Sequence, residues 1–510
     1  MRDRHLTTIQ LNENDHVAIA LTGLRQGESI DASGLTVSDA VPAGHKLAIV
    51  PIGEGQKVLK YGQVIGTALT DIAPGEHVHS HNLGMGGHGQ DYAIGQECRP
   101  LPVVNDRETR KFMGYHRGNG TVGTRNYLGI VTSVNCSGSV ARFIAGAVEA
   151  SGWLEEFGNV DGVVPIVHGT GCGMSDRNLG YATLFRTLSG YARNPNFGGI
   201  LFLGLGCEVM QIPDLLGPRR LRNDGSFRYM IIQQTGGTRR TVDRGVSIVR
   251  ELAEIANREE RKPAPAGRLT VGLQCGGSDG YSGITANPAL GVTSDLLVRH
   301  GGTAILSETP EIYGAEHLLT RRAVNADVGR KLIDRIHWWQ DYAARNDCEM
   351  DNNPTPGNKR GGLTTILEKS LGAIAKGGTA PLAAVCEYGE RPKTAGLVFM
   401  DSPGYDPCSV TGQIAAGANL IAFTTGRGSV SGYMPTPCVK LASNDDLYRR
   451  MGDDMDMNCG DIVSDGISPD RKGGEIFDLF LRVASGERTR SELLGFGGAE
   501  FVPWQIGAVM

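Results

Sequence analysis

Several signatures of other protein classes are missing from this sequence of 510 residues. No apolar run exceeds the length of a strand, so no membrane-spanning helix is predicted. No export signal is visible, and we therefore expect a cytoplasmic protein. The sequence has no Walker motif, no complete GxGxxG motif with its acidic partner and no GxSxG elbow, which disfavours nucleotide-driven and serine-hydrolase chemistry.

Disulfide pairing and a nucleic-acid-binding surface are disfavoured as well. The ten cysteines are dispersed and form no CxxC pair. In a chain without an export signal, such cysteines are better explained as reduced thiols or metal ligands. The net charge is −5, from 50 basic and 55 acidic residues, which does not suit a polyanionic partner. We therefore expect a small-molecule substrate, with no nucleic acid and no membrane as partner.

Glycine is abundant instead, with 73 residues, about twice the average usage. The glycines follow no collagen period, and they allow tight turns and a close approach of the backbone to a ligand. The composition therefore predicts a globular protein with many ligand-binding loops.

The chain is too long for one core, and its patterns divide it into four segments. Residues 1–82 hold short apolar runs between Gly, Asp and Pro turns, which predicts a small β-domain. Residues 83–112 are first glycine-rich and then charged, as in a linker. Residues 113–262 and 263–510 alternate strands with helices, which predicts two Rossmann-like, mostly parallel α/β regions. The Pro- and Ala-rich residues 261–267 are predicted to be the connection between these two regions.

Side chains that can bind ligands or take part in catalysis follow the ends of the predicted strands. In the first α/β region the strands are predicted at residues 127–134, 162–167, 198–205 and 229–232. In the second they are predicted at 269–274, 302–306, 396–400 and 420–423. Ligands of parallel sheets bind at the carboxyl ends of strands, so we expect these side chains to form the site.

Four of these strand-end residues are cysteines and form the predicted metal site: Cys136, Cys172, Cys207 and Cys275. Thiolates are soft ligands that suit iron or zinc, and a cluster held by three thiolates with an open iron suits Lewis-acid dehydration. The alternative is that each cysteine is a small buried residue where strand and helix meet. Glu208, Glu308 and Glu311 are candidate hard ligands or bases, or else capping or surface residues.

The predicted catalytic residues are His45, Lys46 and His168. His168 ends a strand, where it can act as a base or be a hydrogen-bonded core residue, whereas His45 and Lys46 occupy a turn that can bind an anion. His77, His79 and His81 alternate, so one strand face would carry all three, as a metal or proton site or as a solvated edge. The predicted substrate-binding residues lie in polar or glycine-rich loops and are Ser278, Asp279, Asn287, Lys359 and Arg427.

Longer motifs resemble the sugar-acid dehydratase family of galactarate dehydratase and altronate dehydratase. They are spread over nearly the whole chain and include Gly44-His-Lys46, Gly120-Thr-Val-Gly-Thr-Arg-Asn126, Gly204-Leu-Gly-Cys-Glu208, Gln274-Cys-Gly-Gly-Ser-Asp279, Ser282-Gly-Ile-Thr-Ala-Asn-Pro288, Pro356-Gly-Asn-Lys359 and Thr425-Gly-Arg-Gly428. The resemblance implies that the N-terminal domain is a β-clip domain like those of antifreeze proteins and sialic acid synthases. The two α/β regions would then form the catalytic body.

The same resemblance implies a hydro-lyase that converts a hexarate or hexonate to a keto-deoxy acid and depends on Fe²⁺. An iron–sulfur cluster and replacement by Mn²⁺ are alternatives for the cofactor. We expect D-galactarate as substrate, with D-altronate or another aldonate as the alternative, and a homodimer as the assembly. In this scheme the N-terminal domain closes over the site as a lid. A sugar-acid-binding protein without catalysis and a lyase that expels sulfite are the competing functions.

Overall fold

The computed structural model describes residues 7–30, 34–87, 89–105, 107–216 and 225–507. Three structural units follow one another along the chain, and they correspond to a small β-domain and two α/β regions. The predicted fold class is confirmed.

The N-terminal domain consists of short antiparallel strands in three small sheets, ordered β1-β2-β5-β8, β3-β4 and β6-β7-β9. The strands are β1 (Thr8–Ile9), β2 (Val17–Ala20), β3 (Ser29–Ile30), β4 (Leu35–Thr36), β5 (Lys46–Ala48), β6 (Lys57–Lys60), β7 (Gln63–Ala68), β8 (His77–Val78) and β9 (Leu83–Gly84). Leu24, Val41 and Leu47 belong to its small core. A second set of its apolar side chains joins the core of the second α/β region, so this domain is packed onto the body.

The first α/β region contains a parallel sheet in the order β13-β12-β14-β15 and a small antiparallel sheet in the order β11-β10-β16. Its elements are β10 (Lys111–His116), β11 (Val122–Gly123), β12 (Tyr127–Thr132), α1 (Gly138–Ser151), β13 (Gly162–Ile166), α2 (Leu179–Ala192), β14 (Phe197–Gly204), α3 (Ile212–Leu216), β15 (Phe227–Ile231), α4 (Ile232–Thr235), α5 (Thr238–Ala256) and β16 (Arg261–Pro265). Leu128 and Ile130 pack in one core with α1 and α5, whereas Tyr127 and Val131 pack in another. This alternation of faces along β12 explains its continuous apolar sequence, because a parallel strand is covered on both sides.

The second α/β region is built on a seven-stranded parallel sheet in the order β19-β20-β18-β17-β21-β22-β23. Its strands are β17 (Thr270–Cys275), β18 (Thr303–Leu306), β19 (Leu382–Cys386), β20 (Gly396–Met400), β21 (Leu420–Thr425), β22 (Cys438–Ala442) and β23 (Met457–Asn458). Its helices are α6 (Ala286–Arg299), α7 (His317–Thr320), α8 (Ala326–Arg345), α9 (Pro356–Arg360), α10 (Ile366–Ile374), α11 (Asp406–Ala415), α12 (Asp445–Arg450), α13 (Asp461–Ser464), α14 (Pro469–Ala484) and α15 (Arg490–Leu493). Val410 and Ile414 of α11 pack in the same core as Leu184 and Leu188 of α2, so the two α/β regions share apolar packing.

The predicted connection at residues 261–267 is wrong, since Arg261–Pro265 forms the edge strand β16 paired with β10. Pro263 and Pro265 can occupy an edge strand because their missing N–H groups need no ladder partner on the open side. The segment between β9 and β10 is bound to the second region, where Thr320 Oγ1 donates to the Tyr92 carbonyl at 2.8 Å. None of the helices that the structure describes is both long enough and apolar enough to cross a membrane.

Candidate active site

A cavity of about 450 Å³ opens at the carboxyl end of the seven-stranded sheet. The loops after β17, β18, β20 and β21 form part of its wall, and α9 and α10 supply the rest. The residues that line it are Cys275, Gly276, Gly277, Glu311, Asn353, Thr355, Gly357, Asn358, Arg360, Lys369, Gly404, Tyr405, Asp406 and Arg427. This is the position at which open α/β sheets bind ligands.

The inner wall of the cavity carries buried groups of both charges. Lys369 forms an ion pair with Glu311, and both side chains are buried. Lys376 Nζ donates to Cys275 Sγ at 2.9 Å, and Cys275 Sγ lies 3.8 Å from Glu311 Oε2. Asn353 Nδ2 donates to Glu311 Oε1 at 2.7 Å. The ammonium groups of Lys369 and Lys376 therefore offset part of the negative charge of the acidic groups at this end of the sheet.

Glu308 is the most unusual member of this charged group. Its backbone lies in the left-handed region with φ 72°, which is strained for a residue other than glycine. The side chain is 1% exposed, and neither carboxylate oxygen has a hydrogen-bond partner among the described residues. Burial, followed by the nearby negative groups Glu311 and Cys275, raises the pKa of Glu308 well above its ordinary value. A buried carboxylate of this kind requires either a proton or a bound cation.

Asp406, at the first turn of α11, is a second carboxyl group shifted toward its neutral form. Burial raises its pKa to about 7, and the negative charge of Glu311 acts in the same direction. A carboxyl group with such a pKa can both take up and release a proton near neutrality.

Three of the buried groups can act together as metal ligands: Cys275, Glu308 and Glu311 each offer an atom, and these atoms lie within 4.8 Å of one another. The divalent iron implied by the sequence resemblance fits this set, because one sulfur and two carboxylates suit Fe²⁺ and the Glu308 oxygens have no protein partner. Mn²⁺ prefers oxygen ligands and fits the two carboxylates as well.

The outer wall of the cavity is formed by α9, whose position is set by a capping box. The Thr355 side chain accepts a hydrogen bond from Asn358 N, and Asn358 Oδ1 accepts from Thr355 N. Asn358 Nδ2 also donates to the Ser278 carbonyl at 2.8 Å, which ties α9 to the loop after β17. Arg360 and Arg427 are exposed at the cavity wall, and neither has an ion pair within the described ranges.

The other three predicted metal ligands lie at the carboxyl edge of the sheet in the first α/β region. Cys136, Cys172 and Cys207 are free and exposed. Their loops are joined by hydrogen bonds: Asn135 N donates to Thr170 O at 2.9 Å, and Val209 N donates to Gly171 O at 3.2 Å.

These three thiols lie in the loops that follow β12, β13 and β14, which are neighbouring strands, and suit an iron–sulfur cluster in ligand type. The group of ligand atoms gathered within 4.8 Å around Cys275 includes none of them. The structure thus separates the four predicted metal ligands into one buried cysteine and three exposed ones.

Two predicted catalytic residues lie outside the cavity lining, with their polar atoms engaged. His168 Nδ1 is 2.9 Å from Thr170 Oγ1 and Nε2 is 3.0 Å from Thr132 O, and burial lowers the pKa of His168 to about 4. Lys46 Nζ forms a buried ion pair with Glu368 Oε2 at 2.9 Å. Burial lowers the pKa of Lys46 to about 8, although Glu368 acts in the opposite direction. His45, the third, also lies outside the lining, and its Nε2 is 3.2 Å from the carbonyl oxygen of the lining residue Arg360.

Among the predicted substrate-binding residues, Arg427 lines the cavity and the other four do not. The Asp279 carboxylate accepts from Ser282 Oγ and Ser443 Oγ, each at 2.8 Å, so it joins two strand-end loops. Asn287 Oδ1 accepts from Thr424 Oγ1 at 2.6 Å. Ser278 follows the lining residue Gly277, and its carbonyl accepts a hydrogen bond from Asn358. Lys359 lies between the lining residues Asn358 and Arg360.

Four charged residues of this site were not predicted: Arg360, Lys369, Lys376 and Asp406. Asp406 follows the loop after β20 and Arg360 adjoins the predicted binding loop, so the strand-end rule could have included both. Lys369 lies in α10, and Lys376 lies seven positions later in the short 3-10 turn that follows it, which places both on the same side of this helical segment. Two lysines at helical spacing in a buried segment are the signal that identifies them.

Comparison with protein families gives matches along almost the whole chain. Residues 6–86 match the altronate/galactarate dehydratase SAF domain. Residues 114–257 match the second domain of D-galactarate dehydratase/altronate hydrolase. Residues 266–509 match the C-terminal part of D-galactarate/altronate dehydratase.

Curated relatives show similarity over nearly their full length. The chain is 36% identical to an altronate dehydratase of Bacillus subtilis over 488 residues, 95% of this chain and 96% of the relative. It is also 36% identical to a galactarate dehydratase (L-threo-forming) of Escherichia coli over 491 residues, 94% of this chain and 93% of the relative. Identity to the beta subunit of a (2R)-sulfolactate sulfo-lyase of Chromohalobacter salexigens is 32%, covering 76% of this chain and 95% of that subunit.

Proposed function

This chain belongs to the family of D-galactarate and altronate dehydratases and is a hydro-lyase, and we propose that its substrate is the six-carbon diacid D-galactarate. The identities to the two kinds of dehydratase are equal at 36%, so sequence similarity does not select the substrate. The observation that favours a diacid is the pair of guanidinium groups in the cavity wall.

Arg360 and Arg427 both line the cavity and have no ion pair in the part of the chain that the structure describes. A guanidinium group binds a carboxylate through two parallel hydrogen bonds, and charge-assisted bonds of this kind are the strong ones. D-galactarate carries a carboxylate at each end, whereas D-altronate carries one. Two unpaired guanidinium groups therefore match the diacid.

Dehydration removes a proton from the carbon next to a carboxylate and hydroxide from the following carbon, and the resulting enol becomes a keto-deoxy acid. We assign the proton transfer to Asp406, because this residue lines the cavity and its raised pKa, about 7, suits proton exchange near neutrality. The ammonium groups of Lys369 and Lys376 offset the negative charge of the buried acidic groups, which reduces their repulsion of the substrate carboxylates.

Cys275, Glu308 and Glu311 are the residues that we propose hold Fe²⁺, with Mn²⁺ as a substitute. Bound iron supplies a Lewis acid that polarises oxygen atoms of the substrate. The three thiols of the first region, Cys136, Cys172 and Cys207, are the alternative holders, and there the cofactor would be an iron–sulfur cluster.

The test is turnover of a panel of hexarates and hexonates under anaerobic conditions with Fe²⁺, followed by a keto-acid assay. We expect the highest kcat/KM for D-galactarate. Replacement of Arg427 with Ala should raise KM for the diacid by about 10- to 100-fold, the value of a charge-assisted hydrogen bond.

A higher kcat/KM for D-altronate would contradict the substrate assignment and favour the aldonate alternative. If the Arg427→Ala variant keeps the wild-type KM, the proposed binding of a substrate carboxylate in the cavity is contradicted.

A further inference from the structure

The N-terminal domain contacts the C-terminal end of α9 and the two residues that follow it, on the side away from the cavity. Four consecutive carbonyl groups, those of residues 359–362, accept hydrogen bonds from outside the helix. His79 Nε2 lies 2.8 Å from Lys359 O, and His45 Nε2 lies 3.2 Å from Arg360 O. Lys46 Nζ donates to Gly362 O at 2.7 Å, and the body contributes Gly280 N, which donates to Gly361 O at 2.8 Å.

These contacts determine the tautomers of the histidines. A carbonyl oxygen can only accept, so Nε2 of both His45 and His79 must carry the hydrogen. Neutral His45 then has an acceptor at Nδ1, and His77 Nε2 lies 3.0 Å from that atom and must donate to it. His45 is thus fixed on both sides, by His77 within its own domain and by Arg360 in the cavity wall.

The N-terminal domain is packed closely against the body. A Cβ atom built at Gly280 would lie 1.9 Å from the Gly44 carbonyl oxygen, so only glycine allows this backbone contact. Lys46 and Lys60 both form ion pairs with Glu368, at 2.9 and 2.8 Å, and all three side chains are buried. Opening the domain as a lid would break these ion pairs and the backbone contact, which favours a fixed support.

We infer that the N-terminal domain positions Arg360 for substrate binding, with His45 and His79 as positioning residues that act through the segment 359–362. This inference rests on the proposed function, in which Arg360 binds a substrate carboxylate. None of the described residues that line the cavity comes from the N-terminal domain, so its influence passes through the carbonyls of Lys359, Arg360 and Gly362. The same domain thereby affects affinity without touching the substrate.

The experiment is a double-mutant cycle on KM for the best substrate of the panel, with the full-length chain. Replacement of His45 with Ala should raise KM about 3- to 10-fold, as expected for loss of one hydrogen bond, with kcat nearly unchanged. His45→Gln keeps a donor near the position of Nε2 and should restore most of the affinity. His81→Ala is the matched control, because His81 is an exposed histidine of the same cluster. It should leave KM unchanged.

Arg360→Ala should raise KM by itself, and adding His45→Ala to it should have no further effect. The inference is overturned if His45→Ala leaves KM unchanged, or if the effects of the two replacements multiply. If Arg360→Ala leaves KM unchanged, the proposed function of the cavity fails instead. Should His45→Ala not fold, His79→Ala provides the same comparison, because His79 holds the neighbouring carbonyl.

Discussion

The two α/β regions place cysteine and glutamate at the carboxyl ends of parallel strands, but in opposite environments. In the first region Cys136, Cys172 and Cys207 are exposed, and the nearby Glu208 is saturated with hydrogen bonds. In the second, Cys275 is buried and Glu308 has no hydrogen-bond partner among the described residues. The ends of the strands therefore locate the cysteines and glutamates of both regions. Burial and the lack of hydrogen-bond partners distinguish those of the second region as the candidate catalytic groups.

Glu308 should show the largest effect on catalysis. We expect Glu308→Gln to lower kcat/KM by about 10³-fold, because it replaces one of the three proposed iron ligands with a neutral amide. The folding free energy should stay constant or improve, since the change removes a buried carboxylate without partners. Steady-state kinetics and denaturant unfolding of the same preparation check the two halves of this prediction.

Glu208 in the first region is the matched carboxylate and should give the reverse pattern. Its carboxylate accepts from Ser133 Oγ at 2.6 Å and from Gly206 N at 2.6 Å. Although burial acts to raise its pKa, these hydrogen bonds hold the pKa of Glu208 below its ordinary value. Glu208→Gln should lower the free energy of unfolding by about 1–3 kcal/mol, with kcat nearly unchanged. If the Glu208→Gln protein is folded but as inactive as Glu308→Gln, the assignment of a structural role to Glu208 and a catalytic role to Glu308 is contradicted.

The strand-end rule, applied to the sequence, finds Cys275, Glu308 and Glu311 correctly as neighbours of one sheet edge. It cannot show that Cys275 is buried beside Lys376 while Cys136 is exposed, because burial depends on which helices cover each edge. The rule does not find Lys369 and Lys376, because they reach the site from α10 and from the 3-10 turn after it, and not from a strand end.

Secondary structure was predictable where apolar runs were long, as in β14, and not where they were short or mixed. β19 is a short run containing two alanines, which does not differ in pattern from a buried helix segment. β22 includes Lys440, whose ammonium group is buried and donates to Ser429 O at 3.1 Å. Neither strand was predicted, because tertiary packing and not local pattern determines them.

Acid should destabilise the first region through His168. Its pKa is about 4 in the folded chain against an ordinary value of 6.5, so the unfolded chain binds more protons between these two values. Stability should therefore fall as pH decreases from 6.5 to 4, by about 3 kcal/mol at most for one such group. The slope of unfolding free energy against pH should be smaller in His168→Asn, and unchanged in the control His116→Asn, which alters an exposed histidine. Equal slopes in all three proteins would contradict this assignment.

The exposed thiols should give the smallest effect. Brief treatment of the native protein with a thiol reagent should label Cys136, Cys172 and Cys207 and spare the buried Cys275, as peptide mass mapping can show. Cys136→Ser should change kcat/KM by less than about twofold, as expected for an exposed position. A large loss of activity in this variant would indicate that the reaction takes place in the first region.

Iron content per chain tests the central claim most directly. It should be measured in anaerobically prepared wild type, in Glu308→Gln and in the double variant Cys136→Ser/Cys172→Ser. We predict that Glu308→Gln loses iron and that the double cysteine variant retains it. Retention of iron by Glu308→Gln, together with loss of iron and of iron–sulfur visible absorption in the cysteine variant, would contradict the assignment of the metal to the second region.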